Sequence, residues 1–93
     1  MGLRFTWDPR KDAANVRKHG VTFREVSTAF ADPLSVTVAD PDHSVGEQRF
    51  VLIGISHRRR LLVVAHTERG DTIRIINARP ATRHERRSYE EES

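Results

Sequence analysis

The sequence predicts an α+β fold: a small antiparallel β-sheet with two N-terminal helices on one face and a short C-terminal helix. Three patterns point to it. Two capped helical segments follow one another with almost no linker at Gly20. Three strand-period runs then succeed each other with short polar connections, the signature of a meander. Finally, Pro80 breaks the last run, and Thr82 with Glu85 has the spacing of a capping box. Helices gathered on one side of an antiparallel sheet are a stable two-layer solution.

Each element has a local reason. Leu3-Arg4-Phe5-Thr6-Trp7 alternates apolar and polar, the period of a half-buried strand, and Trp7 reads as a core anchor. Asp8-Pro9 is an N-cap followed by Pro at the first helical position, and Gly20 is the matching C-cap. Lys18 and His19 suit the negative end of that helix dipole. Thr22 and Glu25 start a second helix, Val21 and Val26 have staple spacing, and Asp32-Pro33 ends it. Leu34 to Val38 is a short strand. Residues 40–47 are a polar, turn-rich loop; His43 between Asp40 and Asp42 matches no known zinc or magnesium spacing and reads as part of that turn. Phe50 to Ser56, Leu61 to Thr67 and Thr72 to Ala78 form the meander, and residues from Thr82 onward form the charged final helix.

Composition narrows the function. Ninety-three residues make a single domain, 1–93, with a modest core. The absence of cysteine removes disulfides, thiolate chemistry and cysteine-based zinc sites. No apolar run approaches a membrane span and no export signal is visible, so a cytoplasmic protein without a membrane partner is expected. No cofactor motif and no metal-ligand motif is present. Charge is unevenly placed. Residues 1–55 are balanced, with seven Lys/Arg and seven Asp/Glu; residues 56–93 carry nine Arg, no Lys and six acids. Arginine offers a planar donor fork matched to phosphate, so a polyanion, RNA first, is the expected partner.

Several side chains are placed to act on such a partner. Arg79 leaves the last meander strand and Arg83 enters the first turn of the final helix, where cations oppose the helix dipole unless an anion binds. Alternation sets Arg74 opposite Ile73 and Ile75. It puts His66 and Glu68 on one strand face, about 7 Å apart. Cleaving an RNA backbone needs a base, an acid and cations for the charge developing at phosphorus. His66 or Glu68 could be the base, Arg74, Arg79 and Arg83 the cations, and Tyr89 a hydroxyl donor or a stacking ring. The guanidinium groups are expected to converge on one pocket. The charge pattern alone also fits a non-catalytic nucleic-acid binder or a protein-interaction module.

Several strings in order carry a resemblance: Phe5-Thr6-Trp7-Asp8-Pro9-Arg10-Lys11, Lys18-His19-Gly20-Val21-Thr22-Phe23, Phe30-Ala31-Asp32-Pro33, and Arg74-Ile75-Ile76-Asn77-Ala78-Arg79 followed by Ala81-Thr82, Glu85-Arg86-Arg87 and Tyr89-Glu90. Together they resemble the BrnT family of bacterial toxins. The resemblance implies a RelE-like fold and a type II toxin–antitoxin role. It implies a ribonuclease that halts translation, expected here to need no metal, and a ribbon-helix-helix antitoxin as partner. DNA would be read by that antitoxin and only indirectly by this chain. By position, Arg74, Arg79, Arg83 and Tyr89 match functional Arg and Tyr residues of related toxins.

Overall fold

Local signals start and stop the helices of the computed structural model, which describes residues 2–92. The Asp8 side chain accepts the Arg10 N–H at 2.9 Å and opens α1 (Pro9–His19). Gly20 closes it with a φ of 69°, a left-handed conformation that costs glycine little. Thr22 Oγ1 accepts the Glu25 N–H at 3.1 Å and opens α2 (Phe23–Ala29). Side chains fix the angle between the two helices. Asp12 accepts the Phe23 N–H at 2.9 Å, and the buried Asn15 donates to Val21 O at 3.0 Å.

The strands are β1 (Arg4–Thr6), β2 (Val36–Ala39), β3 (Arg49–Ile55), β4 (Leu61–Arg69) and β5 (Thr72–Pro80). They form one sheet in the order β1-β5-β4-β3-β2. The meander β3-β4-β5 and its neighbour β2 are antiparallel, as expected. β1 adds itself to the edge parallel to β5, pairing Phe5 with Ile73, a long-range choice that no local pattern announces.

One irregularity decides which side chains share a face. Ala65 pairs with Asn77, but His66 pairs with Ile75, so β5 carries one extra residue, Ile76, opposite the Ala65–His66 step. Arg74 and Arg79 are five residues apart, and strict alternation would place them on opposite faces. The bulge brings both to the same one.

The α1–α2 pair covers one sheet face. Val21, Phe23, Val26 and Ala29 meet Leu52, Leu62, Val64, Ile73, Ile75 and Ala78 there, and all are buried. Full burial of each larger side chain contributes about 1.5–3 kcal/mol. Gly54 lets α2 approach, since a Cβ there would stand 2.8 Å from the Ala29 carbonyl oxygen. A buried charge locks this layer. Glu25 is 2% exposed and accepts from Ser56 Oγ at 2.7 Å and Arg60 Nε at 2.9 Å, with a further short bond from Arg60 Nη2. Hydrogen bonding to Arg60 holds the Glu25 carboxyl below its usual range, against the effect of burial.

The final helix, α3 (Arg83–Glu92), does not join the other two. Tyr89 and Ser88 line a concavity with Val36, Val38 and Ile53. Cross-strand register puts those three on the face opposite Leu52 and Val64. The expectation that every helix lies on one side is corrected: α3 folds back over the β2–β3 end of the other face. A single large side chain, Tyr89, is its buried anchor.

Candidate nucleic-acid interface

The sheet face not covered by α1 and α2 is built in rows. Arg49, Thr67, Arg74 and Thr6 are successive cross-strand partners on β3, β4, β5 and β1. The next row holds Val51, Ala65 and Asn77, and the one beyond holds Ile53, Val63 and Arg79. Thr67 and Val63 are four residues apart on β4, so the row of Arg74 and the row of Arg79 are separated by about 13 Å.

Two adjoining shallow concavities on this face hold Arg49, Arg74 and Arg79. One, of about 210 Å³, is lined by Asp40, His43, Arg49, Val51, Val63, Ala65, Asn77 and Arg79. The other, of about 320 Å³, is lined by Thr6, Glu47, Thr67, Arg69, Thr72 and Arg74. They adjoin, because Arg49 in the first pairs across the ladder with Thr67 in the second. Three acids temper the positive charge. Glu47 bonds Arg69, Glu85 bonds Arg79, and Asp40 bonds His43. Among the described residues Arg49 and Arg74 make no ion pair. A guanidinium not tied up in an ion pair can engage phosphate.

The six sequence-predicted residues do not meet in one pocket. Arg74 and Arg79 lie on the open face, in adjoining concavities. Arg79 is already engaged: its Nη1 and Nη2 each donate to a Glu85 oxygen at 2.8 Å. Glu85 also accepts the Thr82 N–H at 2.9 Å and completes the capping box. The expected vacancy at the start of α3 is therefore filled by the protein's own carboxylate. Bonding to Arg79 depresses that carboxyl to about 2, despite partial burial. Arg83 is exposed in the same turn and lines neither concavity of this face.

His66 and Glu68 are on the wrong side for the role expected of them. The periodicity correctly groups His66 with Leu62 and Val64, and that group is the covered one. His66 is fully buried, edge-on to Phe30 at 4.9 Å and stacked on Phe50 at 5.8 Å. Its Nε2 donates to Glu68 Oε2 at 2.9 Å, and its Nδ1 has no hydrogen-bond partner among the described residues. No substrate can touch this ring while α2 stays in place. Tyr89 is also occupied. Its hydroxyl donates to Asp32 Oδ2 at 2.6 Å, and burial, reinforced by this bond, pushes its pKa up to about 12. Such a hydroxyl is suited to anchoring a helix and not to trading protons near neutrality.

Sequence reasoning missed Arg49, Asn77 and the Asp40–His43 pair. Arg49 alternates with Phe50, so its face was readable once the covered side was known. His43 Nδ1 donates to Asp40 Oδ2 at 3.0 Å across a turn whose composition looks like any polar loop. Among the described residues no group of three or more His, Cys, Asp or Glu is placed to hold a metal ion. No described helix is long and apolar enough to cross a membrane.

A protein-family model described as the ribonuclease toxin BrnT of type II toxin–antitoxin systems matches residues 7–85. The chain belongs to the BrnT family. The matched range includes Arg74, Arg79 and Arg83 and stops short of Tyr89. The 1.1 Å crystal structure of the Brucella abortus ribonuclease toxin BrnT is similar to this one, with a TM-score of 0.62 at 20% sequence identity. The similarity covers 87% of this chain and 99% of that one, and at this identity it speaks for the BrnT fold. No curated protein matches the chain.

Proposed function

We propose that this BrnT-family toxin is an endoribonuclease that lays single-stranded RNA across its open sheet face and cuts it without a resident metal ion. One observation carries the reading: Arg49 and Arg74 stand in a single cross-strand row with Thr67 and Thr6, and neither arginine is held in an ion pair among the described residues, although Glu47 shares the concavity of Arg74. The row offers two cations and two hydroxyls to a phosphodiester. The 2′-oxygen forms a bond to phosphorus, the bond from phosphorus to the 5′-oxygen breaks, and the proton passes from the attacking to the leaving oxygen. Negative charge on the phosphoryl oxygens rises as this happens, and Arg49 and Arg74 stabilise it. Arg79, about 13 Å away along the strands, serves a neighbouring phosphate once it shares itself between Glu85 and the RNA. Arg83 extends the cationic margin.

An antitoxin of the ribbon-helix-helix type neutralises the toxin by covering this face, and DNA contacts belong to that partner. The reading is tested with purified protein, labelled single-stranded RNA and excess EDTA. Cleavage to products with a cyclic phosphate and a free 5′-hydroxyl is expected. Arg74→Ala should weaken RNA binding and slow cleavage with little change in the thermal midpoint, since its side chain makes no hydrogen bond or ion pair among the described residues. A purified wild-type protein that binds RNA with the expected salt dependence yet leaves it intact points to a non-catalytic binder instead.

A further inference from the structure

We infer that His43 is the proton-transferring group of this site and that Asp40 is the residue that positions it. The inference rests on the endoribonuclease reading above and supplies what the arginine row lacks, since no arginine can accept a proton near neutral pH. His43 lines the same concavity as Arg49, Asn77 and Arg79, on the face where RNA is proposed to lie. Its side chain is 65% exposed, whereas that of Asp40 is only 20% exposed.

The geometry fixes the chemistry of the ring. An ionised carboxylate can only accept, so the 3.0 Å bond places a proton on His43 Nδ1. In the neutral imidazole Nε2 then carries the lone pair, and it has no partner among the described residues. This is an oriented base with a carboxylate behind it, the same division of labour as in the hydrolytic triads. Nε2 takes the proton of the 2′-hydroxyl while the 2′-oxygen bonds to phosphorus, and Asp40 stabilises the imidazolium that results. The same proton can then go to the departing 5′-oxygen, which restores the neutral ring. Arg49 from β3 and Arg79 from β5 are the charged groups that face the pair across the concavity.

The turn that holds the pair is braced. The Asp40 N–H donates to Arg49 O at 2.8 Å. Ser44 Oγ donates to Asp40 O at 2.6 Å and accepts the Arg49 N–H at 2.8 Å. The backbones of Asp40 and Arg49 are thus linked by three hydrogen bonds, one direct and two through Ser44, which ties the turn beneath the pair to the start of β3.

The test compares wild-type protein with His43→Ala, Asp40→Asn and Asp40→Glu. Single-turnover cleavage of random-sequence RNA is read beside the affinity for the same RNA bearing 2′-O-methyl groups. His43→Ala should lower the cleavage rate by about 10²–10⁴-fold, with the affinity unchanged and partial rescue by added imidazole. Asp40→Asn should lower the rate at unchanged affinity, and Asp40→Glu should recover part of the loss. Thermal midpoints near the wild-type value establish that the variants are folded, as befits an exposed ring. Cleavage by folded His43→Ala at the wild-type rate overturns this inference and leaves the endoribonuclease reading intact. Absence of cleavage by the wild-type protein overturns both.

Discussion

Arg79 and Glu85 meet fork to fork, with two hydrogen bonds of 2.8 Å between β5 and the first turn of α3. The pair anchors the helix start and at the same time neutralises a cation of the proposed RNA face. Phosphate must compete with Glu85 for this guanidinium. Glu85→Gln keeps a side-chain oxygen for the Thr82 N–H but gives up the charge. It should bind RNA several-fold more tightly, with a salt dependence steeper by about one phosphate contact. Fluorescence anisotropy over a salt series measures both, and an unchanged slope would show that Arg79 never reaches RNA.

Acid should unfold the protein through the same carboxylate. The folded pKa of Glu85 is about 2 against an ordinary 4.5. A depressed carboxyl contributes stability that is present above the unfolded value and is lost as pH falls through the folded one. Glu25, bonded to Arg60, shifts in the same direction. In Asp32, burial pushes upward, but bonds from Tyr89, Ile55 and Leu34 outweigh it and the net shift is down. Thermal midpoints should therefore hold above about pH 4.5 and decline steadily toward pH 2. Glu85→Gln should start lower and decline less, which circular dichroism against pH can follow.

His66 is expected to matter for folding and not for chemistry. Its Nδ1 is a buried acceptor without a donor, a feature that costs about 1–3 kcal/mol. His66→Leu removes that cost and the ring contacts together, and the Glu68 it abandons is 40% exposed and can find water. The net change in unfolding free energy should stay within about 2 kcal/mol in either direction. Cleavage per folded molecule should persist. Complete inactivity of a folded His66→Leu protein would return this residue to the catalytic set.

Tyr89 ties α3 to the end of α2 through Asp32. Tyr89→Phe keeps the ring in its apolar concavity and removes only the donor to a carboxylate, for a loss of about 1.5–3 kcal/mol. The raised pKa gives a second signature with the opposite sign. A phenol held at about 12 contributes stability that is full below its ordinary value of 10 and disappears as pH climbs from there. Wild-type protein should lose midpoint temperature over that alkaline range, and Tyr89→Phe should lose less. Identical alkaline curves would mean that the hydroxyl does not anchor the helix.

Much of the fold was legible because its signals are local. Asp8, Gly20, Thr22 and the Thr82–Glu85 pair each act within one helical turn, and each is found where spacing placed it. Strand periodicity also read true, but it groups residues without saying which group the helices cover. That is why His66 could be sorted with Leu62 and Val64 and still be assigned to a solvent-facing role. The docking of α3 and the Glu25–Arg60 bond depend on residues far apart in sequence, which no window can weigh. The Asp40–His43 pair is local, yet its residue types are those of any turn.

The extra residue in β5 has a consequence for where charge can reside. Ladder spacing from Arg74 to Arg79 is even and chain spacing is odd, and the skip at Ile76 reconciles the two. Were that skip to slide past Arg79, an unchanged string of letters would turn the guanidinium toward the helix-covered face and away from Glu85. A strand that serves oil on one side and polyanion on the other thus depends on the place where its pairing stumbles.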